Sequence, residues 1–334
     1  ATIGIAVAPV DGEDVETLLR NADLALYAAK GAGRNRAIRY EAGMDEAAQQ
    51  RRLIEMDLRG ALGKQEMRLH YQSLVDTSTG EITGYEALVR WVHPQRGIVM
   101  PATFIPIAEE TGLIVQLGEW VIRQALRDLA NWPKPLTVSI NLSPAQMRSA
   151  GLITTIISAI ASNGVDPGRV CFEITETVLM QDSDANIETL HKLREIGVQI
   201  ALDDFGTGYS SLNYLRSFPF SKIKIDRCFI DEIDSRPDCQ AIVRSVVGLA
   251  QSLGMTTTAE GVERTEQVEH LRSQGCSEVQ GFLYSKAVPV DQLSNRRSVD
   301  MFSKPVTPLF KIKTDLYPQT MPESLADRPA SKQA

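Results

Sequence analysis

The sequence predicts an α/β protein, a TIM-like (β/α)8 barrel, and three observations carry that prediction. Short apolar runs alternate with helix-like stretches, the pattern of a parallel sheet wrapped by helices. About eight such units over roughly 250 residues suit a closed ring of strands. Nearly every run also ends in a carboxylate or an amide, and a barrel gathers the C-terminal ends of its strands at one mouth.

In chain order, residues 81–85 lead into Glu86, and residues 136–140 end in Asn141. Residues 169–172 end in Glu173 with Glu176 close behind, and residues 198–202 end in Asp203-Asp204, followed by Phe205-Gly206-Thr207-Gly208. Lys224 lies near the end of 221–225, Glu260 follows 255–259 with Gly261 and Glu263 after it, and 277–279 leads into Gln280-Gly281. Apolar runs of this length bounded by glycine read as buried strands. Helical spacing fills the intervals at 119–131, 144–163, 184–195, 236–253 and 263–274. Glu86, Asn141, Glu173, Asp203, Asp204 and Glu260 should therefore face one another across one pocket.

Two adjacent anions such as Asp203 and Asp204 repel, and a fold tolerates them when solvent, a proton or a cation neutralises them. A divalent metal is the natural candidate; for an isolated Asp-Asp, a helix cap or turn brace is the alternative. The chain has four histidines, none in an i,i+4 pair. Oxygen ligands then point to magnesium or manganese.

The 334 residues are 43% hydrophobic and 23% charged with a formal net charge of -7, which allows a large core and gives no broad reason to expect binding to a DNA or RNA duplex. No apolar stretch approaches the ~20 residues of a membrane span, and no signal-peptide pattern opens the sequence. Cys171, Cys228, Cys239 and Cys276 show no paired spacing and read as reduced, mostly packed thiols of a cytoplasmic protein. Residues 1–40 carry a strand-like start and a helix-like 15–30, too little to enclose a core, so they read as the tail of a truncated domain. The predicted organisation is this remnant at 1–40, a helical linker at 41–64, a barrel at 65–295 and a disordered tail at 300–334.

The motif Gly84-Tyr85-Glu86-Ala87-Leu88-Val89-Arg90-Trp91 resembles the signature of the EAL-domain phosphodiesterases. The resemblance extends through Tyr71-Gln72, Asn141-Leu142-Ser143, Phe172-Glu173-Ile174-Thr175-Glu176, the segment from Asp203 to Leu212, Lys224-Ile225-Asp226, Ala259-Glu260-Gly261-Val262-Glu263 and Gln280-Gly281-Phe282, covering about residues 50–293. Residues 22–30 and Gly33-Arg34-Asn35 resemble the C-terminal end of a GGDEF domain whose glycine-rich signature is missing, so no cyclase activity is expected of this fragment.

The resemblance implies an EAL-type barrel with an atypical antiparallel first strand and hydrolysis of cyclic di-GMP to linear pGpG. It implies two magnesium or manganese ions per site, held by Glu86, Asn141, Glu173, Asp203 and Asp204, with calcium inhibiting. Lys224 is expected beside the attacking water, although a lone strand-end lysine is more often solvated. Glu260 is expected as general base or as a hydrogen-bond partner of the water. Gln72, Leu88, Arg90, Asn141, Asp226 and Gln280 are expected around the substrate; Arg90 also reads as an exposed rim residue, and Gln72 and Gln280 as glutamines satisfied by backbone. Glu176 and Glu263 are expected to anchor the loop after Asp203. A homodimer is implied, and the parent protein can be membrane-tethered. A receptor that binds cyclic di-GMP without cleaving it, or a dimerisation platform, is the alternative. Departures from the family pattern are Ser73, expected to loosen a turn where proline is usual, Cys228, expected to pack, and Ser285-Lys286-Ala287, which lacks a proline after the lysine. None falls on an expected ligand.

Overall fold

Apolar side chains at successive positions bury both faces of a strand, and the predicted runs fold that way. In the computed structural model, which describes residues 1–293 apart from 32, 34, 181, 182, 207–214, 216, 217 and 219, twelve strands form two sheets among the described residues. The chain divides into two units, Ala1–Met301 and Phe302–Ala334. The second unit, and with it the tail expected at 300–334, lies outside the described residues.

Strands β1 (Ile3–Ile5) and β2 (Ala37–Arg39) make a separate parallel pair, linked by the helix Val15–Gly31. A helix, Met44–Ala61, then leads to the main sheet. Its strands are β3 (Met67–Asp76), β4 (Ile82–His93), β5 (Gly97–Val99), β6 (Thr137–Asn141), β7 (Val170–Thr175), β8 (Gln199–Phe205), β9 (Lys222–Ile225), β10 (Thr256–Ala259), β11 (Glu278–Val279) and β12 (Val288–Pro289). Neighbours from β4 through β6, β7, β8, β9 and β10 to β11 are parallel. β3 runs antiparallel to both β4 and β11 and closes the eight-stranded ring, while β5 and β12 flank it. The barrel and its inverted first strand agree with the sequence.

Helices cover the ring by burying one stripe each. The helix Leu113–Leu129 buries Ile114, Leu117, Val121, Ile122, Ala125, Leu126 and Leu129. Its Gly118 permits close approach, since a Cβ there would lie 1.8 Å from Gln146 Nε2. Arg169, buried, ties the end of the same helix to the chain that follows it by donating to the carbonyls of Leu129 (3.5 Å), Trp132 (3.3 Å) and Leu136 (2.7 Å).

Four expectations are corrected. The helix expected at 144–163 is two, Pro144–Met147 and Leu152–Asn163. A capping box between Ser143 and Gln146 starts the first, and Ser149, whose Oγ accepts from Gly151 N–H at 3.4 Å, interrupts the run. Glu86 stands within β4, not at its end, because β4 continues as a hairpin arm paired with β3 and β5. Ser73 loosens no turn: it is a buried residue of β3 opposite Tyr85, with its N–H donating to Ser285 Oγ at 3.2 Å. Cys228 is exposed on a short helix, Arg227–Ile230, whose buried residue is Ile230, while the other three cysteines are buried. Desolvation, then the hydrogen bond and charge of Asp226, push the Cys228 thiol up to about 12, which favours the protonated thiol over the thiolate.

Candidate active site

Each barrel strand delivers one or two polar side chains to the same mouth. Register sets their heights: Gln72 lies opposite Glu86 on β3 and β4, Asn141 beside Glu173 on β6 and β7, and Thr175 beside Asp203 on β7 and β8. Lys224 is the third residue of β9, and Glu260 and Gln280 directly follow β10 and β11.

At the centre stands Lys224, 1% exposed. Its Nζ lies 2.5 Å from Glu173 Oε2, 2.6 Å from Glu260 Oε1, 3.3 Å from Asp203 Oδ1 and 3.9 Å from Glu86 Oε1. Carboxylates from β4, β7, β8 and the end of β10 thus share one ammonium. Glu86 is fixed on both oxygens, by Asn141 Nδ2 at 2.7 Å and by Gln280 Nε2 at 2.6 Å, and Gln280 also donates to Gln72 Oε1 at 3.1 Å. Gln72 in turn donates to the Ser285 carbonyl at 3.0 Å.

The electrostatics follow from burial. Desolvation works against the charge on Lys224, but Glu173, Glu260, Glu86 and Asp203 outweigh it and hold the ammonium protonated well above the usual lysine range. Burial pushes the Glu173 carboxyl up against the pull of Lys224, with Glu86 and Asp203 adding to the rise, and Glu260 is raised in the same way. Asp204 is raised by burial and by Asp203. One cation does not balance this many acids.

Two observations test whether the residues suit divalent metal. Glu173 Oε1 is buried and has no hydrogen-bond partner among the described residues, an expensive state for a carboxylate oxygen that a cation would relieve. Asp203, Asp204 and Glu260 each offer an oxygen within 4.8 Å of the others. Asp204 has φ +54°, a left-handed backbone that a non-glycine residue adopts at a cost of about 1–3 kcal/mol. The donor set is all oxygen and suits a hard dication.

The mouth opens into a cavity of about 270 Å³ lined by Gln72, Glu86, Leu88, Asp203, Lys224, Glu260, Gln280 and, unforeseen from sequence, Arg227 and Phe282. A larger cavity of about 700 Å³, between Leu69, Trp120, Asp128 and Val290, shares none of this lining. A family model described as the EAL domain matches residues 55–287. The chain belongs to the EAL domain family.

A second family model, "Diguanylate cyclase, GGDEF domain", matches residues 1–36. Among relatives, the "Bifunctional diguanylate cyclase/cyclic di-GMP phosphodiesterase MucR" of Pseudomonas aeruginosa is 43% identical over 88% of this chain and 43% of its own length. The "Cyclic di-GMP phosphodiesterase NbdA" of the same organism is 39% identical over 88% of this chain and 38% of its own. This EAL chain thus spans less than half the length of either relative. Among solved structures, "PaMucR Phosphodiesterase, c-di-GMP complex" matches with a TM-score of 0.70 at 43% identity, covering 72% of this chain and all of that one.

Other expected residues of the EAL site lie further out. Arg90, on the same face of β4 as Glu86 and Leu88, is half-buried and donates to the Val89 carbonyl at 2.9 Å. Asp226 caps the helix Arg227–Ile230 through Cys228 N–H at 2.9 Å. Neither lines the cavity. Glu176 Oε1 accepts from Gly206 N–H at 3.3 Å, at the start of the loop after Asp203. Glu263, by contrast, lines the cavity beside Arg227, 3.2 Å from its Nη2. The rest of that loop, 207–214, falls outside the described residues. Arg227 had a signal in its position directly after Lys224-Ile225-Asp226; Gly261, with φ +70°, brings its backbone so close that a Cβ would meet Arg227 Cγ at 2.4 Å.

Proposed function

We propose that this EAL domain is a phosphodiesterase that hydrolyses cyclic di-GMP to linear pGpG with the help of two magnesium or manganese ions. The observation that carries the proposal is the convergence of Glu86, Glu173, Asp203 and Glu260 within 3.9 Å of Lys224 Nζ at one cavity. The names of the phosphodiesterase relatives and the cyclic di-GMP complex of the structural neighbour support the substrate.

Glu86, Asn141, Glu173 and Asp203 would hold one ion, and Asp203 with Asp204 the other. Bound there, the ions supply acidification of water and neutralisation of charge on phosphoryl oxygens. Lys224 keeps its proton, so its part is to orient the attacking water and stabilise negative charge. Glu260, with its carboxyl raised by burial, is the group suited to take the water's proton. Asn141 and Gln280 fix the orientation of Glu86. Leu88 and Gln72 line the floor on which a base can rest, and Arg90 and Asp226 would reach a bound dinucleotide at the rim.

Incubating the chain with cyclic di-GMP and magnesium tests the proposal, with Glu86→Ala and Lys224→Ala as controls. Linear pGpG should form with the unaltered chain alone, and calcium should suppress it, because its larger, looser coordination misplaces the water. Binding without pGpG would make the domain a receptor and end the proposal.

A further inference from the structure

A second polar layer lies inside the barrel beneath the acidic cluster. Glu278 opens β11 with a side chain 14% exposed, and Lys222, at 9%, is its ion-pair partner on β9. The Glu278 carboxylate also accepts from Thr258 Oγ1 on β10 at 2.9 Å and from Thr83 Oγ1 on β4 at 2.8 Å. Four of the eight barrel strands meet on one side chain.

These same four strands supply much of the site above. Alternate residues of a strand share a face and lie ~6.6 Å apart along it. Two residues carry Lys222 to Lys224, Thr258 to Glu260 and Glu278 to Gln280, and Thr83 precedes Glu86 by three. None of the lower four lines the cavity. β11 closes the ring with two register pairs to β10 and two to β3. So short a seam leaves its height to be set by side chains.

We infer that Lys222, Glu278, Thr258 and Thr83 form a positioning layer that fixes Lys224, Glu260, Gln280 and Glu86 relative to one another; the inference rests on the hydrolysis proposed above. A purely structural ion pair behaves differently, since apolar side chains of similar size often replace a buried pair with no loss of stability.

The test uses the whole chain carrying Lys222→Met with Glu278→Met, and separately Thr83→Val and Thr258→Val. Tm, kcat and KM are measured with cyclic di-GMP and magnesium, and the double variant is crystallised. The double variant should unfold cooperatively, with kcat lowered about 10- to 100-fold and KM within about threefold. The valine variants should move kcat the same way by smaller factors, and Gln280 should leave Glu86 in the crystal. A folded double variant with kcat within about twofold of the unaltered chain overturns the inference. If the double variant does not fold, the valine variants decide by the same criterion. If the unaltered chain makes no pGpG, the proposed hydrolysis has failed and the crystal alone decides: a retained hydrogen bond from Gln280 to Glu86 overturns the positioning layer, and its loss supports it.

Discussion

Glu173 is a carboxylate with one oxygen on Lys224 and the other without a hydrogen-bond partner among the described residues, and burial raises its affinity for a proton. A group whose folded pKa is raised contributes stability below its unfolded value that is lost as pH rises through the folded one. For Glu173 the loss begins near the ordinary glutamate value of 4.5 and proceeds upward. A bound dication favours the ionised form, so the stability it adds grows over the same range. The gap between the Tm in excess magnesium and the Tm in chelator should therefore widen as pH rises from 4.5. Thermal melts across that range check this, and parallel curves would show that no metal meets the Glu173 carboxylate.

At the scale of elements, two short connections hold the site. Gly281 follows Gln280 where a Cβ would lie 1.9 Å from the Val262 carbonyl oxygen. Gly281→Ala must push β11 and the segment at Val262 apart, costing ~1–3 kcal/mol or more, and should lower Tm and turnover together. A variant that melts with the unaltered chain would show that Gly281 does not pack tightly against Val262. Glu176, at the head of the helix Glu176–Met180, holds Gly206 N–H and so links β7 to the chain beyond Asp204. Glu176→Ala should raise the magnesium concentration needed for half-maximal turnover as well as lower the rate, because metal occupancy and loop position share that contact. An unchanged magnesium titration would sever the link.

Across the whole molecule, what sequence reveals depends on how local the cause is. The strands that carry Asn141, Glu173, Asp203 and Asp204, and the one that Glu260 follows, were legible because short apolar runs leading into a carboxylate or amide alternate with helical spacing, although β7 and β8 run on to Thr175 and Phe205. Lys222 and Glu278 were not. A charge on a two- to four-residue strand reads as solvent-facing until the ring is closed and the two meet inside it. The split at Ser149 was hidden because helical spacing persists through it, and the extent of β4 was hidden because its outer arm is set by β3 and β5. Among the described residues no helix is long and apolar enough to cross a membrane.

The ring is sealed by β11, its shortest strand and the last of the eight along the chain, while β3, synthesised some 200 residues earlier, waits with one edge unmatched. A polypeptide still growing on the ribosome can thus carry Glu86, Glu173 and both aspartates and yet own no chamber. A nascent chain stalled before residue 278 would leave the β3 edge without its β11 partner, an unpaired strand edge open to its neighbours.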